Sequence, residues 1–285
     1  MGAASALSDK KTRDLPWSGK DPLCMMAPHT IRTTNEQSPV VSQHALHPSW
    51  TFFGWEPLRA ACEYVSMQFM EKVDRISGDG HPVVIFTGLA SDKSATAPLT
   101  SFCKGLGYEV HDWGRGFNTG PLGDVDDWLD ELAPHIAALA SEQGRGMSLI
   151  GWSLGGIYAR EVAKRLPRVR QVITIGTPFA GSAAQTSAGL IHGLVRGQEA
   201  PIDEPLARRL GIAPDVPTTS IYSHTDGIVA WEACIQAGTR RTTENIEVDG
   251  SHLGLGWNPA VLSIVADRLS QPDGAWKPYG ARDSI

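Results

Sequence analysis

The stretch Met147-Ser148-Leu149-Ile150-Gly151-Trp152-Ser153-Leu154-Gly155-Gly156-Ile157-Tyr158-Ala159-Arg160 decides how this chain is read. Met147–Trp152 has the length and apolar character of a buried strand, and Leu154–Leu166 carries the pattern of a helix. At their junction Gly151-Trp152-Ser153-Leu154-Gly155 forms a GxSxG, followed by Gly156. A sharp strand-to-helix turn holds a serine in a strained conformation with its hydroxyl exposed, and the flanking glycines leave room for that turn. A hydroxyl that attacks an acyl carbonyl needs that exposure together with a neighbouring base. The motif alone is weak, since any α/β protein can carry a glycine-rich turn; its position between strand and helix gives it weight.

Outward from this junction, short apolar strands alternate with helices. Strands are expected at Pro82–Thr87, Tyr108–Trp113, Val169–Ile175, Thr218–Tyr222 and Asn245–Val248. Helices are expected near Thr96–Leu106, over an amphipathic stretch containing Val125, Leu129, Leu132 and Ile136, and from Asn258-Pro259 to about Leu269. Such alternation means βαβ units, a mostly parallel sheet of about six strands and helices on both faces. Upstream, Leu58, Cys62, Val65, Phe69, Val73 and Ile76 recur at steps of three and four, the stripe of one more helix. Residues 1–50 hold five prolines and no sustained period, and read as an irregular N-terminal arm. Residues 51–285 read as a single domain.

Ligands of such sheets sit beyond the carboxyl ends of the strands. The loops at 88–95, 113–123, 153, 176–182, 223–230 and 249–257 therefore share one rim. A serine nucleophile on this scaffold is followed along the chain by an acid and then a histidine. Asp226 and His252 lie on rim loops in that order. His192 and His224 are the other histidines after Ser153, but His192 falls in an insertion and His224 precedes the acid. Asp249 is a rival acid, close in sequence to His252. The tetrahedral oxyanion requires two backbone donors. One is expected from Leu154, and the other from the loop Thr87–Ser91, with Leu89 favoured over Ala90.

Gly151–Gly156, the Asp226-Gly227 turn and Gly250-Ser251-His252 together resemble the α/β-hydrolase superfamily. The run Gly151–Arg160, with Ile175-Gly176-Thr177-Pro178-Phe179 after it, is similar to bacterial serine esterases and lipases. The resemblance covers residues 80 to 272 and implies Ser153 as nucleophile, Asp226 as acid, His252 as base, and Leu89 and Leu154 as oxyanion donors. Thr87 stands where many lipases have a histidine before the glycine, and two leading strands of the full fold have no counterpart, so a shortened sheet is expected. The implied activity is cleavage of carboxylic esters through an acyl-enzyme, without a cofactor and without a metal. An acyltransferase or perhydrolase, a lactonase or a thioesterase would use the same residues, and a non-catalytic binding protein is the rival from another class.

Trp113, Trp152, Trp231 and Trp257 fall near the rim and are candidate pocket residues for apolar acyl or alcohol groups. The segment 180–216 interrupts the last crossover; Leu190, Ile191, Leu194 and Val195 give it an apolar stripe, and it is expected to form a small cap lining the pocket with Leu190 and Leu194. A net charge of −6 with no basic run argues against nucleic acid as partner and leaves a small-molecule ester as the expected one. The first residues lack the apolar core of a signal peptide, and the uncharged stretch Gln171–Val195 is too polar to span a bilayer, so no stable membrane insertion is expected. Cys24, Cys62, Cys103 and Cys234 show no pair spacing and read as reduced thiols of a cytoplasmic protein.

Overall fold

The computed structural model describes residues 31–33, 50–70, 77–139, 145–180, 204–238 and 242–280. In chain order these form β1 (Arg32–Thr33), α1 (Trp50–Phe53), α2 (Glu56–Gln68), β2 (Pro82–Phe86), α3 (Ala97–Gly105), β3 (Glu109–Asp112), α4 (Val125–Leu139), β4 (Met147–Trp152), α5 (Leu154–Arg165), β5 (Val169–Ile175), α6 (Glu204–Gly211), β6 (Thr218–Tyr222), β7 (Thr243–Glu247) and α7 (Pro259–Ser270). The sheet has the order β1-β7-β6-β5-β4-β2-β3. Every pairing from β7 to β3 is parallel.

The short strands are apolar because both of their faces are covered. One face packs under α4, α5 and α6, with Phe86, Leu129, Leu149, Tyr158 and Leu210 in a common core. The other packs under α3 and α7, with Ile85, Leu99, Ile173, Ile246 and Val261. Asn258 starts α7 by accepting the Ala260 N–H at 2.9 Å, and Pro259 fills the first turn, where a missing N–H costs nothing. No helix among the described residues is long and apolar enough to cross a membrane.

Three expectations change. The sheet has seven strands rather than six, because Arg32–Thr33 adds an antiparallel edge to β7 at Ile246 and Glu247. Two residues carry no periodicity, so such a strand is invisible in the sequence. Next, an apolar helical stripe ordinarily marks the buried face, yet α2 has the reverse arrangement. Leu58, Val65 and, just after the helix, Phe69 are 56%, 53% and 64% exposed and Cys62 is half-buried, while Glu56 and Glu63 are buried at 2% and 1%; Val73 and Ile76 of the expected stripe lie outside the described residues. Finally, residues 204–216 of the expected cap belong to the body. α6 places Ala207 and Leu210 in the core, and Lys164 of α5 donates to the carbonyl of Arg209 at 3.0 Å. Residues 181–203, with Leu190 and Leu194, lie outside the described residues.

Candidate active site

The parallel sheet brings the carboxyl ends of β2, β4, β6 and β7 to one edge, and the loops that follow them carry the site. Ser153 joins β4 to α5 with a φ of +54°. Ser153 and Ala90, at +55°, are the non-glycine residues with positive φ among those described, and both lie on this edge. Side chains at such angles are strained, and strain of this kind persists where the surroundings over-determine it. The surroundings here are backbone packed on backbone. A Cβ on Gly151 would meet the Gly156 Cα at 2.3 Å, and one on Gly155 would meet the Phe86 carbonyl oxygen at 2.5 Å. Glycine at these positions lets α5 leave β4 at once and sets Ser153 on the turn.

Asp226 and His252 come to Ser153 from two other loops. His252 Nε2 is 3.0 Å from Ser153 Oγ, and His252 Nδ1 is 2.7 Å from Asp226 Oδ2. The second Asp226 oxygen accepts the N–H groups of Ile228 at 2.8 Å and Val229 at 2.7 Å. The carboxylate is thus held from one side while its other oxygen accepts the Nδ1 proton. That leaves Nε2 as the acceptor for the serine hydroxyl. Burial alone would push the His252 imidazole down, but the adjacent Asp226 charge, its hydrogen bond and the more distant Glu56 charge outweigh it and raise the group above its usual value of 6.5.

The loop after β2 lies directly beside the serine: a Cβ on Gly88 would sit 3.2 Å from the Ser153 Cβ. Ala90 donates its N–H to the Asn118 carbonyl at 2.8 Å, which takes it out of the contest for the oxyanion. Leu154 is the first residue of α5, where a backbone N–H has no intrahelical acceptor. The rival residues do not join the array. The ring of His224 is exposed and lies 4.1 Å from that of Trp231, and the His252 imidazole meets Asp226 and Ser153 rather than Asp249.

The four tryptophans divide. Trp113 is core and not rim, because its ring stacks on Tyr158 at 5.8 Å and its indole N–H donates to the Gly116 carbonyl. Trp152 donates to the His252 carbonyl at 3.2 Å. Trp257 donates to the Ala60 carbonyl of α2 at 2.9 Å, and Trp231 is half-buried against Tyr222 and His224. The sequence reading missed Glu56 and Glu63, whose carboxylates reach the backbone on either side of His252. Their seven-residue spacing places both on one helix face, but two acids on a helix ordinarily mark a solvated surface.

A family model described as palmitoyl protein thioesterase matches residues 82–235, more than half of the chain and a range that includes Ser153 and Asp226. A pimeloyl-[acyl-carrier protein] methyl ester esterase from Shewanella woodyi is 34% identical over 104 residues, 35% of this chain and 37% of that protein. The chain thus matches little more than a third of the length of this curated relative. Among solved structures, Aspergillus fumigatus lipase B is similar with a TM-score of 0.51 at 19% identity, covering 74% of this chain and 58% of the lipase, a likeness of fold. With the sheet, the strained serine turn and the family match all on the same residues, the chain belongs to the palmitoyl protein thioesterase family of the α/β-hydrolase superfamily.

Proposed function

We propose that the protein hydrolyses acyl esters and thioesters by way of an acyl-enzyme on Ser153. The observation that carries the reading is the continuous array Ser153 Oγ–His252 Nε2–His252 Nδ1–Asp226 Oδ2, at 3.0 and 2.7 Å, on a serine with φ +54°. Ser153 Oγ attacks the acyl carbon as its proton passes to His252 Nε2. The negative charge that develops on the carbonyl oxygen is met by the N–H of Leu154 and that of Leu89, which no described residue accepts. Collapse breaks the bond to the leaving alcohol or thiol, which takes the proton from Nε2. Water then repeats the cycle, giving its proton to His252 and its oxygen to the acid product. Asp226 accepts the Nδ1 hydrogen bond and orients the ring.

The thioester half of the reading is supported by the family match, and the oxygen-ester half by the curated esterase relative. The two leaving groups make different demands. A thiol ionises near pH 8.5, so a thiolate departs with little help, whereas an alkoxide must be protonated as it leaves. A site with a positioned His252 can serve both, and the measured ratio reports how far proton transfer limits the rate. The test is labelling with a fluorophosphonate followed by turnover of matched acyl thioesters and p-nitrophenyl esters, native against Ser153→Ala. The reading expects stoichiometric labelling and turnover of at least one substrate class, both lost in the variant. Turnover that survives the substitution would overturn it.

A further inference from the structure

The base and acid of the array sit on two separate loops, after β7 and after β6, and something must hold these loops in register. Their own strands cannot do so alone, because Asp226 and His252 lie four and five residues beyond the last strand residue, Tyr222 and Glu247. The contacts that hold them come instead from the helix ahead of the sheet. One oxygen of Glu56, Oε1, accepts two backbone N–H groups, that of Gly227 at 2.8 Å and that of His252 at 3.0 Å. Its other oxygen accepts the Leu253 N–H at 3.1 Å. A single carboxylate thus bridges the residue after the acid to the base itself. Two turns further on, Glu63 accepts the Ser251 N–H at 2.7 Å and meets the Ser251 hydroxyl at 3.0 Å. Between them, Arg59 reaches Thr225, donating to its carbonyl at 2.5 Å and to its hydroxyl at 2.7 Å.

Steric contacts agree with the polar ones. A Cβ on Gly227 would meet the backbone of Phe52 and Phe53 at 2.6 to 2.7 Å, so α1 lies on the acid loop with no room for a side chain. A Cβ on Gly254 would sit 1.5 Å from Glu63 Oε2, so the base loop is equally bare where the second carboxylate enters. We infer that residues 50–68 form a positioning strap for the catalytic acid and base, in which Glu56 fixes the Asp226 loop against the His252 loop and Glu63 fixes the residue before the histidine. Neither glutamate bonds to Ser153, so neither is a catalytic residue; both act through the backbone of the residues that are. The inference rests on the reading of Ser153, Asp226 and His252 given above.

Electrostatics add a readout that a merely structural brace would lack. The charged groups around the histidine are Asp226 from the β6 loop and Glu56 from α2, and both hold the imidazole up. Around Glu63 are Arg59 and Glu56 on its own helix; burial outweighs its hydrogen bonds to Ser251 and raises its carboxyl to about 7.

The experiment compares native protein with Glu56→Gln, Glu56→Asp, Glu63→Gln and, on the exposed face of the same helix, Leu58→Ser. Glu56→Gln is expected to lower kcat by about 10- to 100-fold with little change in KM, since a displacement of the acid–base pair of about 1 Å costs that much. Its acid limb of kcat/KM should also move to lower pH, because one of the two charges holding His252 up is gone. Glu56→Asp should lose kcat while keeping the acid limb in place, since the charge stays but the reach shortens. Leu58→Ser should leave both unchanged. A folded Glu56→Gln with native kcat and a superposable pH profile would overturn the strap. Should that variant not fold, Glu63→Gln decides in its place: a fall in kcat at constant KM supports the strap, and native kcat overturns it. Ser153→Ala separates the two readings. If it keeps turnover, the nucleophile assignment fails; if it loses turnover while both glutamine variants behave as native, the strap alone fails.

Discussion

Strand β4 carries a serine near each end, and each serine is hydrogen bonded to a histidine that is in turn hydrogen bonded to an aspartate. At the carboxyl end the array is Ser153–His252–Asp226. At the amino end His81 Nε2 is 2.8 Å from Ser148 Oγ, and His81 Nδ1 is 2.5 Å from Asp79 Oδ1. The polarity is the same in both, with the aspartate taking the Nδ1 proton and Nε2 facing the hydroxyl. The surroundings differ in backbone conformation and in the further partners of each group, although the serine and the histidine of both arrays are buried. Ser148 is an ordinary strand residue, paired with Val83, whereas Ser153 sits at positive φ where a helix begins. Ser148 also accepts from Gln171, and both it and His81 are wholly enclosed. Asp79 spends its second oxygen on the Arg170 guanidinium at 2.7 Å, while Asp226 spends its own on two backbone N–H groups. A chain of three hydrogen bonding side chains is therefore common currency for satisfying buried polar groups. What sets Ser153 apart is its strained turn at the start of a helix, beside a Leu89 N–H that no described residue accepts.

The largest test of this contrast is to remove each hydroxyl. Ser153→Ala should lower kcat for esters by at least about a thousandfold, while Ser148→Ala should leave kcat near native in steady-state assays. Comparable losses from both would erase the distinction. Next come the histidines. His252→Ala should be about as damaging as Ser153→Ala, and Asp226→Asn less so, because the members act as a unit. His224→Ala should keep near-native turnover, since its ring packs on Trp231 and Asp226 bonds to His252 instead. Loss of activity in His224→Ala with retention in His252→Ala would reassign the base.

The sequence makes one of these arrays legible and hides the other. Ser153, Asp226 and His252 follow a fixed order on loops whose positions come from the alternation of apolar strands and helices. His81 and Ser148 are 67 residues apart, and only the register of β2 on β4 brings them together. The strap is hidden for a different reason. Leu58, Val65 and Phe69 repeat as a core face would, and hydrophobic periodicity reports apolar partners only. The inward face of α2 instead meets backbone N–H groups of Gly227, Ser251, His252 and Leu253, which glutamates satisfy and leucines would not. Trp113 misleads in the same way, since its place in the chain just after β3 says nothing of the Tyr158 ring that stacks on it.

Stability should separate the two serines in the opposite sense from activity. Ser148→Ala leaves the buried His81 Nε2 without its partner, a loss of about 1–3 kcal/mol. Ser153→Gly removes the side chain from a residue at φ +54°, where a non-glycine residue costs about 1–3 kcal/mol, so part of that strain should return as added stability. Urea unfolding midpoints check both: the first variant should unfold at lower denaturant than native, the second at the same or higher. A Ser153→Gly variant that is clearly destabilised would mean that the turn carries no strain.

The smallest effect is the pH response, and here the two histidines should part in direction. His252 is held above 6.5 chiefly by Asp226, against the effect of burial. In the proposed mechanism its neutral form accepts the serine proton, so kcat/KM should rise with pH through a midpoint above 6.5. A raised histidine contributes stability that is fully present below 6.5 and is lost as pH climbs through the folded value. Activity should therefore switch on over the same interval in which the imidazolium–Asp226 pair ceases to stabilise the fold. His81 is pushed below 6.5 by burial, with the Arg170 charge adding to it and the Asp79 hydrogen bond opposing. Its native state resists protonation, so stability falls as pH drops below 6.5 toward its folded value. Asp79 is held far below the usual carboxylate range: burial works against this, but hydrogen bonds from Arg170 and His81 outweigh it. It withdraws its own contribution only below 3.8. Imidazole titration by NMR, assigned with His81→Gln and His252→Gln, reads the two directly. The contrast holds if one resonance titrates above 6.5 and the other below, with only the first coinciding with the acid limb of activity. It breaks if His81 titrates with that limb, for then the enclosed array at the amino end of β4 would be coupled to the chemistry after all.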